Sequence, residues 1–576
     1  MRTAKTNSAS SLHNSLRRHF TRPLLVLTVL LGLLTVSTFL LNADVPDQQS
    51  EQETTAGPAA GPLTVHPTNP RYFTDGSGRA VYLTGTHTWA NFQDSGSSDP
   101  PEVFDYAGYL NFLESRNHNF IRLWAWEQAK WGGWHSGDMY FSPLMYERTG
   151  PGTAVDGKPK FDLTSFNQAY FDRLRTRVIQ AGDKGIYVSI MLFDGWAIED
   201  KDYGGLNPWL GHPYHGDNNI NGIDGDLDND DEGREVHTLQ ISEVTQLQEA
   251  YVRKVIDTVN DLDNVLYEIS NESHGGSTEW QYHMINTIKG YEATKAKQHP
   301  VGMTVEWPGG DNNVLFNSPA DWISPNAYSD PPQADGSKVI ITDTDHIWGI
   351  GGDRVWVWKS FTRGTNPIFM DPYNCSAVWP PDGCNPNDPE WVSLRLNMGY
   401  TRAYAERMDL AAMTPRRDLC STGYCLANPV AAGAEYLVYL PEGSTVQNLL
   451  DLAGIDKDLS VNLPTDTMTT VDLSATPGEL SVEWFNPQTG KSVDGGTVSG
   501  GAPRLFASPF GGDAVLYLSA NTSAPPTNTP EPTNTSVPPT NTPGPANTSV
   551  PPVSTPDLPY HHYLGFVSSS DIERCR

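Results

Sequence analysis

Two short phrases hold the residues best suited to chemistry. YEISNES, residues 267–273, ends an apolar run with Asn271 and Glu272, and ITDTDHIWG, residues 341–349, sets Asp343, Asp345, His346 and Trp348 behind another. One carboxyl that exchanges a proton and a second that stays ionised form the pair that acid–base or nucleophilic catalysis needs. Similar side chains end other apolar runs: His87 and Trp89, Trp124 and Trp126 with Arg122 just before them, Glu306 and Trp307, Asn326 and Tyr328. Carboxylates, an amide and imidazoles hydrogen-bond hydroxyl groups, and indole faces stack on the C–H faces of sugar rings. The set therefore suits a polyhydroxylated ligand. No HExxH or GxSxG phrase accompanies it, so a peptidase lacks its motif.

The elements that must position these groups alternate. Eight apolar segments read as strands: 80–86, 119–126, 185–193, 264–270, 300–307, 321–326, 338–343 and 366–371. Helical text at 100–115, 167–184, 241–262 and 278–295 lies between the first five. Alternation of this kind predicts an α/β fold with a parallel sheet. An open doubly wound sheet normally carries a Gly-rich phosphate turn after its first strand, where this chain has GTHTW. The expectation is an eight-stranded (β/α) TIM barrel over residues 62–425, with a hairpin at 64–85 closing its floor. Barrel enzymes keep their working groups at the C-terminal strand ends, which is where the residues above fall.

In that order, residues 62–425 resemble the cellulase-like barrels of glycoside hydrolase clan A, and most closely the apiosidase-like group. The phrases that carry the likeness are HPTNPRYFTDGSGRAVYLTGTHTW, NFIRLWAWE, NNINGIDGD, VLYEISNES, ITDTDHIWG, VWKSFTRGTNPIFMDPY and RMDLAAMTPRRDLCSTGYCLANP. The resemblance implies a retaining hydrolase with two carboxylates. Glu272 matches the acid/base position, and Asn271 would bind the hydroxyl beside the anomeric carbon. For the nucleophile, Asp343 takes the matching place, where the family usually has Glu. Asp345, on the same side of an extended segment, and Glu306 are the alternatives. Arg122 would hold the nucleophile ionised and Tyr328 would donate to it. Trp307, Trp348 and Tyr328 would wall the acid, while His87, Trp89, Trp124, Trp126, Asn326 and His346 would contact sugar. No cofactor is required by such chemistry.

The rest of the chain sets the context. Its net charge of −30 argues against nucleic-acid partners, whose binding rests on Lys and Arg. Basic residues at 17–22 precede an apolar run, 23–41, which predicts an export signal within 1–43 or a membrane anchor, and an extracellular or cell-surface monomer. A spacer at 44–61, a Pro/Thr-rich linker at 520–557 and a tail at 558–576 flank the folded parts. Cys375 with Cys384 and Cys420 with Cys425 predict two local disulfides, leaving Cys575 over. Asp217, Asn219, Asn221 and Asp228 follow the oxygen spacing of a calcium loop, with Asp224 where an aliphatic residue is usual. Residues 427–519 alternate as short strands and predict a small antiparallel β-sandwich, which resembles a domain named for collagen binding. A surface adhesin that binds glycan or collagen on an inactive barrel is the second function class that this organisation allows.

Overall fold

The computed structural model describes residues 57–132, 137–201, 206–373, 385–444 and 467–520. The expected export segment, the linker and tail, and Cys375, Cys384 and Cys575 lie outside the described residues, as does most of the spacer.

The eight predicted strands form one closed parallel barrel: β1 (Gly85–His87), β2 (Phe120–Leu123), β3 (Tyr187–Asp194), β4 (Val265–Asn271), β5 (Val301–Thr304), β6 (Trp322–Ser324), β7 (Val339–Asp343) and β8 (Asn366–Met370). Every residue of β3 and β4 is buried, because the barrel interior covers one face and helices cover the other. The helix before β3, Gln168–Gly182, shows the local logic. Asn167 caps it through Ala169 N–H, and Tyr170, Phe171, Leu174, Val178 and Ala181 recur at helical spacing on its buried face. The floor hairpin pairs Thr64–Val65 with Phe73–Thr74. Leu63, Phe73 and Leu83 pack there against Phe120, Tyr187, Leu266, Trp322 and Val339 at the start of the strands.

Insertions collect at the opposite end. Strands Asp94–Gly96, Lys130–Trp131 and Met139–Ser142 form a small antiparallel sheet after β1 and β2. A long segment after β3 carries two short 3-10 turns, Pro208–Gly211 and Arg234–His237.

The C-terminal part is antiparallel. Strands Thr414–Pro415, Cys425–Asn428, Glu435–Leu440, Ala514–Ala520, Glu479–Asn486 and Lys491–Ser499 form one sheet in that spatial order, and Met468–Asp472 pairs with Pro503–Ala507 in another. One strand of the first sheet thus precedes residue 427 and a second, Cys425–Asn428, spans it. Period-2 alternation splits its central strands between two cores. Tyr436, Val438, Leu516 and Leu518 face Val471 and Phe506 inside the β domain. Leu437, Tyr439, Val515 and Tyr517 face the barrel helices through Trp358, Phe361 and Tyr404. The central strands are therefore buried on both sides and share their second core with the barrel.

One expectation is corrected here. Cys420 and Cys425 form no bridge; both are free and buried. Each thiol packs as a small apolar group in the β-domain core, with Cys420 Sγ 3.3 Å from Thr422 Oγ1.

Candidate active site

At the C-terminal mouth of the barrel lies a cavity of about 590 Å³. Trp89, Trp124, Trp126, Trp131, Trp196, Trp307, Trp348 and Trp391 line it, together with Glu272, Asp345, His346 and Asn326. The strands that end here deliver Glu272 from β4, the Asp345–Ile350 loop from β7, and Trp307 from the end of β5.

Glu272 is the first residue past β4 and has a left-handed backbone, φ +46°. The turn brings its carbonyl against Gly195, where a Cβ would stand 2.3 Å from that oxygen. Only glycine permits this approach of the β3 and β4 ends. The carboxyl is 7% exposed as part of its residue, and the Trp196 indole N–H donates to its Oε2 at 2.8 Å. Burial, aided by the charge of Asp345, pushes the Glu272 carboxyl up to about 8. Asp194 stands behind it; its Oδ1 accepts from Trp196 N–H, and burial raises it to about 8 as well.

Asp343 and Asp345 occupy different places. Asp343 is fully buried, with both oxygens engaged: Oδ1 accepts from His87 Nε2 and the Asp345 backbone N–H, each at 3.0 Å, and Oδ2 from Arg122 Nη1 at 2.8 Å. Burial opposes its charge, but His87 and Arg122 outweigh it and hold Asp343 well below the usual carboxylate range. Asp343 does not line the cavity, whereas Asp345 does. Asp345 accepts from Arg122 Nη1 at 3.2 Å, and burial plus the charge of Asp343 raise it to about 6.

Arg122 is the hub. Its Nε donates to Glu268 Oε2 at 2.8 Å and its Nη2 to Asn271 Oδ1 at 3.0 Å, besides the two aspartates. Asn271 Oδ1 also receives His346 Nε2 at 3.2 Å, while Ser324 Oγ bonds His346 Nδ1 at 2.7 Å. Burial lowers His346 to about 3, so it is neutral here. With its oxygen taken by two donors, Asn271 leaves a buried Nδ2 without a partner among the described residues, and Trp124 Nε1 is in the same state.

The sequence-predicted residues therefore divide. Glu272, Asp345, His346, Trp89, Trp124, Trp126, Asn326 and Trp348 face the cavity. His87, Arg122, Asn271 and Asp343 lie beneath it as a buried network. Two expectations are corrected. Glu306 turns away, its Oε1 accepting from Thr278 Oγ1 at 2.6 Å. Tyr328 packs against the core and offers its backbone carbonyl to Trp356 Nε1 at 3.1 Å, so it donates to neither aspartate. Trp131 and Trp391 join the site from an inserted strand and a C-terminal helix, and no strand-end pattern marks them. Glu268 was hidden inside β4, one more apolar-flanked position of a buried strand.

Two of the four calcium-loop residues turn their side-chain oxygens to backbone N–H groups. Asn219 Oδ1 accepts from the N–H groups of Asn221 and Ile223, and Asn221 Oδ1 accepts from Leu163 N–H. Those oxygens pin the loop backbone instead. Among the described residues, the acidic groups that do converge there are Asp226, Asp228 and Glu235.

A model of a domain of unknown function, DUF6298, matches residues 134–312. No curated protein sequence matches the chain. Among solved structures, one described as a glycoside hydrolase aligns at a TM-score of 0.49 and 13% identity, over 80% of this chain and 97% of the other. A glycoside hydrolase family 5 protein from Bacteroides vulgatus gives 0.47 and 14%, over 81% and 95%. A family 5 mannosidase from Rhizomucor miehei gives 0.38 and 12%, over 60% and 98%.

Proposed function

We propose that the protein is a glycoside hydrolase in which Glu272 is the acid/base and Asp345 the nucleophile. The observation that carries this reading is that both carboxyls face one Trp-lined cavity; burial pushes Asp345 up to about 6 and Glu272 up to about 8. Between those values Asp345 is ionised while Glu272 keeps its proton, the division of labour that glycosidic cleavage requires. Glu272 gives its proton to the glycosidic oxygen as Asp345 bonds the anomeric carbon, and the leaving sugar departs as an alcohol. Water, losing a proton to Glu272, then opens the glycosyl ester with net retention. Indole faces grip the sugar ring.

The nucleophile shifts from Asp343 to Asp345 because Asp343 is fully engaged below the cavity floor. The closer likeness to apiosidase-like barrels, action outside the cell and a poly- or oligosaccharide substrate belong to the same proposal and rest on the phrases and termini of the sequence. The test is hydrolysis across a panel of plant and microbial polysaccharides and aryl glycosides. The wild type is expected to release sugar, and Glu272→Gln to lose at least about 100-fold on unactivated substrates. Equal activity of the variant would remove Glu272 from the mechanism.

A further inference from the structure

Lys201 lies on the long segment after β3, and its side chain is wholly buried although it lines no part of the cavity. Its ammonium has three N–H donors and uses them in three directions. Nζ lies 2.7 Å from Glu199 Oε1, 3.0 Å from the backbone oxygen of Glu272 and 2.6 Å from the backbone oxygen of Trp307. It also sits 5.6 and 5.4 Å from the ring centres of Trp196 and Trp307, which stack on each other at 5.4 Å. The same ammonium thus touches the backbone of the acid and the two indoles beside it.

Glu272 needs such a clamp. Its left-handed backbone is one that residues with a Cβ seldom adopt, and it persists only where the surroundings impose it. Backbone bonds flank the turn, Gly195 N–H to the Asn271 carbonyl at 2.7 Å and Trp307 N–H to the Ser273 carbonyl at 2.9 Å, and the carbonyl of Glu272 between them accepts from Lys201. A lysine that binds the Glu272 carbonyl from behind fixes the peptide plane, and with it the direction in which the carboxyl leaves the backbone. Glu199 anchors the lysine charge in turn and balances its burial.

We infer that Lys201 is the positioning residue of the acid: by tying the carbonyls of Glu272 and Trp307 together it aims the Glu272 carboxyl at the leaving oxygen. The inference rests on the glycosidase reading above. It makes a claim that a merely structural lysine would not. Proton donation matters most when the leaving group is poor, so misaiming the acid hurts poor leaving groups selectively.

The experiment is a leaving-group series of kcat/KM for wild type, Lys201→Met and Lys201→Gln. The probes are 2,4-dinitrophenyl, 4-nitrophenyl and phenyl glycosides of glucose, mannose, galactose, xylose and arabinose. Thermal melts establish that each variant is folded, and Lys201→Gln, which keeps a hydrogen-bond donor, carries the test if the methionine variant does not fold. The expected result is a loss of about tenfold or more on phenyl glycosides with less than about twofold on the dinitrophenyl ones, a steeper dependence on leaving-group pKa. An equal loss at every leaving group, or none, overturns the role of Lys201 while leaving the glycosidase reading intact. A wild type that cleaves no probe overturns that reading, and the inference with it.

Discussion

The Asp345 backbone N–H donates to Asp343 Oδ1 at 3.0 Å, so the two aspartates are stacked partners and not rivals for one position. Asp343 holds the loop and stays charged under His87 and Arg122, while Asp345 sits above it at the cavity wall. Each feels the other through one guanidinium, since Arg122 Nη1 reaches both.

The pH profile follows from the split. Asp345, raised to about 6, must be ionised to attack, so kcat/KM falls as pH drops through that value. Glu272, raised to about 8, must be protonated, so activity falls as pH rises through that value. A bell with limbs near those two points is expected; a profile flat from 5 to 9 would break the assignment.

Asp343→Asn separates the roles. The charge of Asp343 is one of the forces raising Asp345, so its removal moves the acidic limb to lower pH. The rate drops through lost positioning but stays measurable, whereas Asp345→Asn loses at least about 1000-fold. A pH–rate series on both variants checks this, and an unmoved acidic limb in Asp343→Asn would count against the stacked arrangement.

Trp196→Phe keeps an aromatic wall but deletes the donor to Glu272 Oε2. That hydrogen bond favours the ionised carboxylate and lowers its pKa, so its loss moves the alkaline limb to higher pH. A fall in kcat/KM of about tenfold accompanies the shift, as expected for one lost hydrogen bond to a charged group. A limb that stays in place would show that the indole does not touch the acid in solution.

The β domain is expected to act on stability. Arg354, which starts the helix after the Asp345–Ile350 loop, pairs with the buried carboxylate of Asp513 at 3.0 Å, and Tyr439 bonds the same group. Arg354→Ala leaves Asp513 without its counter-charge and costs about 2 kcal/mol, several degrees in Tm. Asp513→Asn in the same background recovers part of the loss. A melt unchanged by Arg354→Ala would mean that the two parts are coupled by their shared apolar core alone.

The barrel was legible because its strands are short apolar runs, the first five of them separated by helical text, and closure needs only eight. The place of Glu272 at the cavity was legible for the same reason: it is the first residue past a buried strand, and the strand ends meet at the barrel mouth. Asp343 and Asp345 were not separable in the sequence because alternation puts residues i and i+2 on one side only while the chain stays extended. Here β7 stops at Asp343 and the chain turns, with His346 N–H returning to the Asp343 carbonyl at 3.2 Å and Trp348 N–H to Thr344 at 2.8 Å. Trp131, Trp391 and Lys201 come from insertions and a distant helix, and only the folded chain brings them together. The Asn219 and Asn221 spacing is ambiguous because amide oxygens that can bind a cation serve equally well to cap a loop's own N–H groups, as they do here.

The most direct test of the carboxylate pair is azide rescue of the glycine variants at 343 and 345, followed by NMR of the product. With an activated aryl glycoside, Asp345→Gly should regain turnover in azide and yield a glycosyl azide of inverted configuration, while Asp343→Gly should yield none. Inverted azide from Asp343→Gly, with none from Asp345→Gly, would place the nucleophile in the buried layer and contradict the account.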